Sequence, residues 1–210
     1  MIFYICWVIV AIPLLILLPT VIKGYKNIPR KGRMIFVCNH QTNFDAVIIA
    51  AKIVKRRFYY MAKSEMFKNK FAGGFFKALG LYPVNREKND IQAVKKTLTL
   101  LKKEKAICIF PEGTRRDADE VADAKNGVAL FALKTKSPIV PACFVNKPGF
   151  FKINKLLIGK PFNLSEMEEF KDKPANKENL VKATEIITER INSLKEEYLA
   201  KKNKKKNKTQ

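Results

Sequence analysis

At 210 residues and 47% hydrophobic content, the chain can bury one good core but is short for two, so one domain with appendages is expected. The apolar fraction and fifteen Phe exclude a largely disordered chain. A formal charge of +22, from 41 Lys and Arg against 19 Asp and Glu, calls for an anionic partner or surface: nucleic acid, anionic lipid or acidic protein.

The first segment, residues 1–22 (MIFYICWVIVAIPLLILLPTVI), holds no charged side chain. As a helix it would extend ~33 Å at ~1.5 Å per residue, enough for a hydrocarbon layer of ~30 Å. No Lys or Arg precedes the run and no small-x-small site closes it, which disfavours a cleaved signal peptide. A core helix would carry a polar stripe, and this run has none. Pro13 and Pro19 would kink a straight span, so a crossing and a bent segment lying in the interface both stay open. Lys23, Lys26, Arg30, Lys31 and Arg33 follow at once, and such clusters are retained on the cytoplasmic side. The reading is a membrane-associating segment over 1–24, at the cell membrane, with the body facing the cytoplasm. An anionic membrane surface then becomes the simplest partner for the excess charge, worth ~1 kcal/mol per nearby Lys or Arg. Nucleic acid is not expected, because no helix-turn-helix, zinc-finger or aromatic RNA-binding signature occurs.

Beyond the anchor, β-rich runs alternate with longer helical patterns. Strands are predicted at 34–38 (MIFVC), 58–62 (FYYMA), 81–84 (LYPV), 106–110 (AICIF), 139–144 (IVPACF) and 155–159 (KLLIG), with helices near 44–55, 64–79, 89–104 and 122–135. This alternation predicts a single α/β domain over 25–200, its central sheet largely parallel or mixed and flanked by helices. A last helix, 177–200, puts Leu180, Ala183, Ile187, Ile191, Leu194 and Tyr198 on one face and reads as a cover for the sheet. Residues 201–210 (KKNKKKNKTQ) contain six lysines and read as a disordered polybasic tail. Cys6, Cys38, Cys108 and Cys143 form no C-x-x-C pair and are expected as buried thiols, with no metal site.

Familiar catalytic motifs are absent: the sequence has no G-x-S-x-G, no G-x-G-x-x-G and, with one His, no H-E-x-x-H. Histidine chemistry must run through His40, in CNHQTNFD (38–45). His40 follows a predicted strand and Asp45 opens the next helix. A turn there could bring the Asp45 carboxylate onto Nδ1, leaving Nε2 free as a base. An Asp in a first helical turn is equally favoured by the helix dipole alone. FPEGTRR (110–116) follows another strand, which puts Glu112, Gly113, Thr114 and Arg115 on a loop at its carboxyl end, where α/β sheets bind ligands. GLYPVNR (80–86) and MAKSEMF (61–67) place Arg86 and Lys63 at two more strand ends, suited to holding an anion.

Taken together, these blocks resemble the glycerolipid acyltransferases over about residues 30 to 160. NHQTNFD resembles the family's H-x4-D motif, GLYPVNR its arginine block, FPEGTR its E-G-T-R block and IVPACF its proline-centred strand. The resemblance implies His40 as general base and Asp45 as its orienting partner. It implies that Arg86 and Arg115 bind the acceptor phosphate with Lys63 as a further cation, that Glu112 holds the glycerol backbone, and that Gly113 permits a tight turn. Cys143 stands where the family more often has an aliphatic residue and is read as packing. The implied reaction moves a fatty acyl group from a thioester to 1-acyl-glycerol-3-phosphate (lysophosphatidic acid). The donor would be acyl-acyl carrier protein or acyl-coenzyme A, with no bound cofactor. Another lysolipid acceptor, or a non-catalytic basic membrane-binding protein, are the competing readings.

Overall fold

The run MIFVC is apolar at every position, and a strand of that kind needs cover on both faces. It becomes β2 (Met34–Cys38), all five residues buried at the centre of a seven-stranded sheet. The computed structural model describes residues 8, 12, 16–42, 44–85, 90–111 and 118–207, with 118–125 and 205–206 described by backbone alone. The other strands are β1 (Thr20–Lys23), β3 (Phe58–Lys63), β4 (Leu81–Val84), β5 (Ala106–Ile109), β6 (Ile139–Phe144) and β7 (Asn154–Ile158). They lie in the order β1-β7-β6-β2-β5-β3-β4. Strands β2 to β6 are mutually parallel, whereas β7 runs antiparallel to β6 and β1 runs parallel to β7. The sheet is therefore mixed, with a reversed pair along one side.

Among the described residues, five helices connect and cover it: α1 (Asp45–Lys52), α2 (Lys70–Ala78), α3 (Ile91–Lys102), α4 (Ala118–Thr135) and α5 (Lys177–Lys206). Side chains alternate across a strand, so Ile35 and Val37 face one core and Met34, Phe36 and Cys38 the other. The first core is closed by Leu101 of α3, Phe131 of α4 and Ile187 of α5. The second is closed by Ile48 and Ile49 of α1, with Leu18 and Ile28 from the N-terminal side. On α5, Ala183, Ile187 and Ile191 are buried as the helical spacing predicts. Cys38, Cys108 and Cys143 are buried and form no disulfide.

Two expectations change. Residues 18–23 belong to the domain: Leu18 is fully buried, and β1 pairs with β7 from Thr20–Asn154 to Lys23–Leu157. The apolar run therefore divides before Leu18 and not after residue 24, because Val21 and Ile22 are good strand residues with a partner strand to pair with. Most of the expected membrane segment lies outside the described residues, and among those described no helix is long and apolar enough to cross a membrane. At the other end, order does not stop at residue 200, since α5 continues through Lys206. Lys and Ala are good helix formers and extending a nucleated helix costs little, while Lys201 also pairs with Glu197 at 3.6 Å.

Candidate active site

His40 sits two residues past β2, on the carboxyl edge of the parallel strands. Its neighbour fixes the turn. Asn39 Oδ1 accepts from the Phe144 N–H at 2.7 Å, and Asn39 Nδ2 donates to the Phe144 carbonyl at 3.2 Å, which locks the end of β2 to the end of β6. The chain then turns into α1, and in that turn the Thr42 backbone N–H donates to Asp45 Oδ2 at 2.9 Å while the Asp45 N–H donates to the Thr42 carbonyl at 3.2 Å.

Asp45 is wholly buried and collects four hydrogen bonds. His40 Nδ1 lies 2.9 Å from Oδ2, which also accepts from the Gln41 N–H at 2.6 Å and the Thr42 N–H, while Oδ1 accepts from Thr42 Oγ1 at 2.7 Å. Burial alone would push this carboxyl up, but the bonds from His40, Thr42 and Gln41 outweigh it and hold Asp45 below the ordinary Asp value. An ionised carboxylate only accepts, so Nδ1 of His40 carries a proton, and in the neutral form of the ring the lone pair then lies on Nε2. The imidazole side chain is 30% exposed, enough for a reactant to reach it. It stacks on Phe110, with ring centroids 4.5 Å apart and planes 28° apart.

Phe110 follows β5 directly, so the FPEGTR block begins against the imidazole face. Glu112, Gly113, Thr114 and Arg115 themselves lie outside the described residues, as does Arg86. Lys63 ends β3 with its side chain exposed on the same edge, two strand spacings from β2, or ~10 Å. Beyond β4, the Asn85 N–H donates to Asp90 Oδ2 at 2.7 Å, and Asp90 caps α3. Among the described residues the structure thus joins His40 to Asp45 and places Lys63 at their edge of the sheet. No group of three or more His, Cys, Asp and Glu suited to a metal occurs among the described residues.

Sequence reasoning missed Asn39, Thr42 and Phe110 as parts of this site. Thr42 had a legible signal, the Thr-x-x-Asp spacing ahead of a helix. Asn39 and Phe110 had none, because their partners are Phe144 and His40 on other strand ends. Cys143, read as packing, is buried in the core under α4 and α5.

A family model described as Acyltransferase matches residues 20–145. A 1-acyl-sn-glycerol-3-phosphate acyltransferase of Bacillus subtilis is 32% identical over 174 residues, 80% of this chain and 84% of that one. One from Streptococcus pneumoniae is 29% identical over 66% of this chain, which spans about half (53%) of that relative. The crystal structure of the 1-acyl-sn-glycerophosphate acyltransferase PlsC from Thermotoga maritima superimposes with a TM-score of 0.61 at 22% identity, over 84% of this chain and 72% of that one, and so shares the fold. With a family match over more than half its length and a relative of this identity along most of both chains, the chain belongs to the glycerolipid acyltransferase family, the family of these 1-acyl-sn-glycerol-3-phosphate acyltransferases.

Proposed function

We propose that the protein transfers a fatty acyl group from an acyl thioester to the 2-hydroxyl of 1-acyl-glycerol-3-phosphate, giving phosphatidic acid at the cytoplasmic face of the cell membrane. The observation that carries this reading is the His40–Asp45 pair, in which the imidazole Nδ1 lies 2.9 Å from a buried carboxylate oxygen. The names of the Bacillus and Streptococcus relatives support the choice of acceptor.

In the proposed step, His40 Nε2 takes the hydroxyl proton as the acceptor oxygen attacks the thioester carbonyl. Asp45 stabilises the resulting imidazolium and holds its orientation. The tetrahedral intermediate collapses, the C–S bond breaks, and the imidazolium returns its proton to the departing thiolate. A base placed in this way contributes ~10²–10⁴-fold in rate. The backbone N–H groups of Gln41 and Thr42 are committed to Asp45 and so do not serve the oxyanion. Arg86, Arg115 and Lys63 hold the acceptor phosphate, while Glu112 and Thr114 line the glycerol backbone. Holding the phosphate converts a free encounter into a positioned one. An acidic carrier protein and the phosphates of coenzyme A both suit the basic surface, and either thioester serves as donor.

The test is an assay of membranes containing the protein, given lysophosphatidic acid with matched acyl-carrier and coenzyme A donors. The His40→Ala variant should remain in the membrane fraction and lose acyl transfer. Near-normal turnover in that variant would remove the base assignment, and equal turnover of monoacylglycerol would remove the role of the cations.

A further inference from the structure

The chain turns back between β6 and β7 through a loop that shows its apolar residues to the outside. Phe150, Phe151 and Ile153 are 45%, 79% and 68% exposed. A mobile loop could hide such side chains, but this one is braced. Asn154, wholly buried, closes it by accepting from the Gly149 N–H at 2.9 Å and donating to the Gly149 carbonyl at 3.2 Å. The Phe151 N–H donates to the Leu17 carbonyl and the Asn154 N–H to the Pro19 carbonyl, each at 2.8 Å. Phe151 is held at φ +54°, a left-handed conformation that is unfavourable for a bulky side chain unless the surroundings impose it. The fold thus uses a backbone cost and a buried Asn to present two aromatic rings and an isoleucine outward.

We infer that loop 149–154 is a wedge that enters an anionic lipid surface and seats the carboxyl edge of the sheet, with His40, against it. This rests on the proposed activity for its purpose but not for its test. Three observations select a bilayer as the occupant. The wedge is continuous with the apolar N-terminal run through Leu17 and Pro19. Its surroundings are basic: segments 63–70 and 145–153, which both leave the carboxyl edge, carry Lys63, Lys68, Lys70, Lys147 and Lys152 against one acid, Glu65. On the other side of His40, at the start of α2, Phe71 is 92% exposed beside these lysines. Aromatic rings flanked by cations are the composition of an interfacial membrane contact. The opposite edge is basic as well, but there Lys55 and Arg56 are engaged by the carbonyls of Tyr25 and Gly32. The wedge also reaches the site directly, because the Phe150 ring packs edge-on against Phe44, at 4.8 Å, within the His40–Asp45 turn.

The chain's one tryptophan is Trp7, so Trp7→Phe gives a silent background for a single reporter. In vesicles of phosphatidylglycerol and brominated phosphatidylcholine, full-length protein with Phe151→Trp should show blue-shifted emission that the bromines quench. Val54→Trp, exposed on the opposite edge, should stay unquenched. If Phe151→Trp behaves like Val54→Trp, the wedge is overturned, whether the N-terminal run or a second copy covers the loop. Phe151→Ser with Ile153→Ser should lower turnover of vesicle-borne lysophosphatidic acid by about tenfold; an unchanged rate would count against the wedge. Quenching needs no acyl transfer. A quenched but inactive protein would overturn the proposed activity alone, and an active but unquenched one would overturn the wedge alone.

Discussion

Asp45 is a buried carboxylate kept charged by four hydrogen bonds, and both the catalytic role proposed for it and its structural worth follow from them. In Asp45→Asn the amide offers one acceptor oxygen where the carboxylate had two, and the tautomer of His40 is no longer imposed. Steady-state kinetics should show kcat lower by ~10²–10⁴-fold with a small change in KM. An unchanged kcat would make Asp45 a structural brace of the turn and nothing more. The same carboxylate links stability to pH. Its folded pKa lies below the unfolded value of ~3.9, so its stabilisation is complete above that value and fades as pH falls through the folded one. Urea unfolding of wild type and Asp45→Asn should differ near neutral pH and converge below ~pH 4. A gap that persists in acid would assign the difference to packing.

At the scale of elements, the edge pair β1 and β7 is sensitive to a single change. Gly24, just past β1, has φ +82° and lies against the Ile158 carbonyl, which an added Cβ would overlap. Gly24→Ala should therefore cost about 3 kcal/mol or more in urea-monitored stability, from positive φ and the collision together. A loss under ~1 kcal/mol would mean that the turn relaxes freely. Five parallel strands, β7 and the helices between them could be read from alternation, because each is a short apolar run set between turn residues. β1 could not. Its residues continue a run that is already apolar, and what makes them a strand is pairing with Asn154–Ile158, far along the chain. Site legibility divides in the same way. His40 and Asp45 stand five residues apart, so one turn joins them, whereas Asn39 and Phe110 act across strands and depend on the sheet order.

For the whole molecule, the proposed seating on a membrane implies that a charge of +22 should draw the chain to an anionic bilayer and that apolar burial should hold it there. Raising salt from ~0.1 to ~1 M shortens the Debye length from ~10 to ~3 Å. Stopped-flow association with phosphatidylglycerol vesicles should slow over this range, while flotation should find protein already seated still bound. Full release by salt would mean that the cations alone hold it. The reversed polarity of β1 and β7 has a consequence for which way up such a molecule sits. Because β1 starts where β6 ends, the apolar run before it joins the sheet beside His40. Had β1 run parallel to β2, that run would join a strand length away, ~17 Å for five residues, and the imidazole would look into the cytosol. Under the proposed function, one hydrogen-bond ladder would thus decide whether the catalyst meets its acceptor in two dimensions or three.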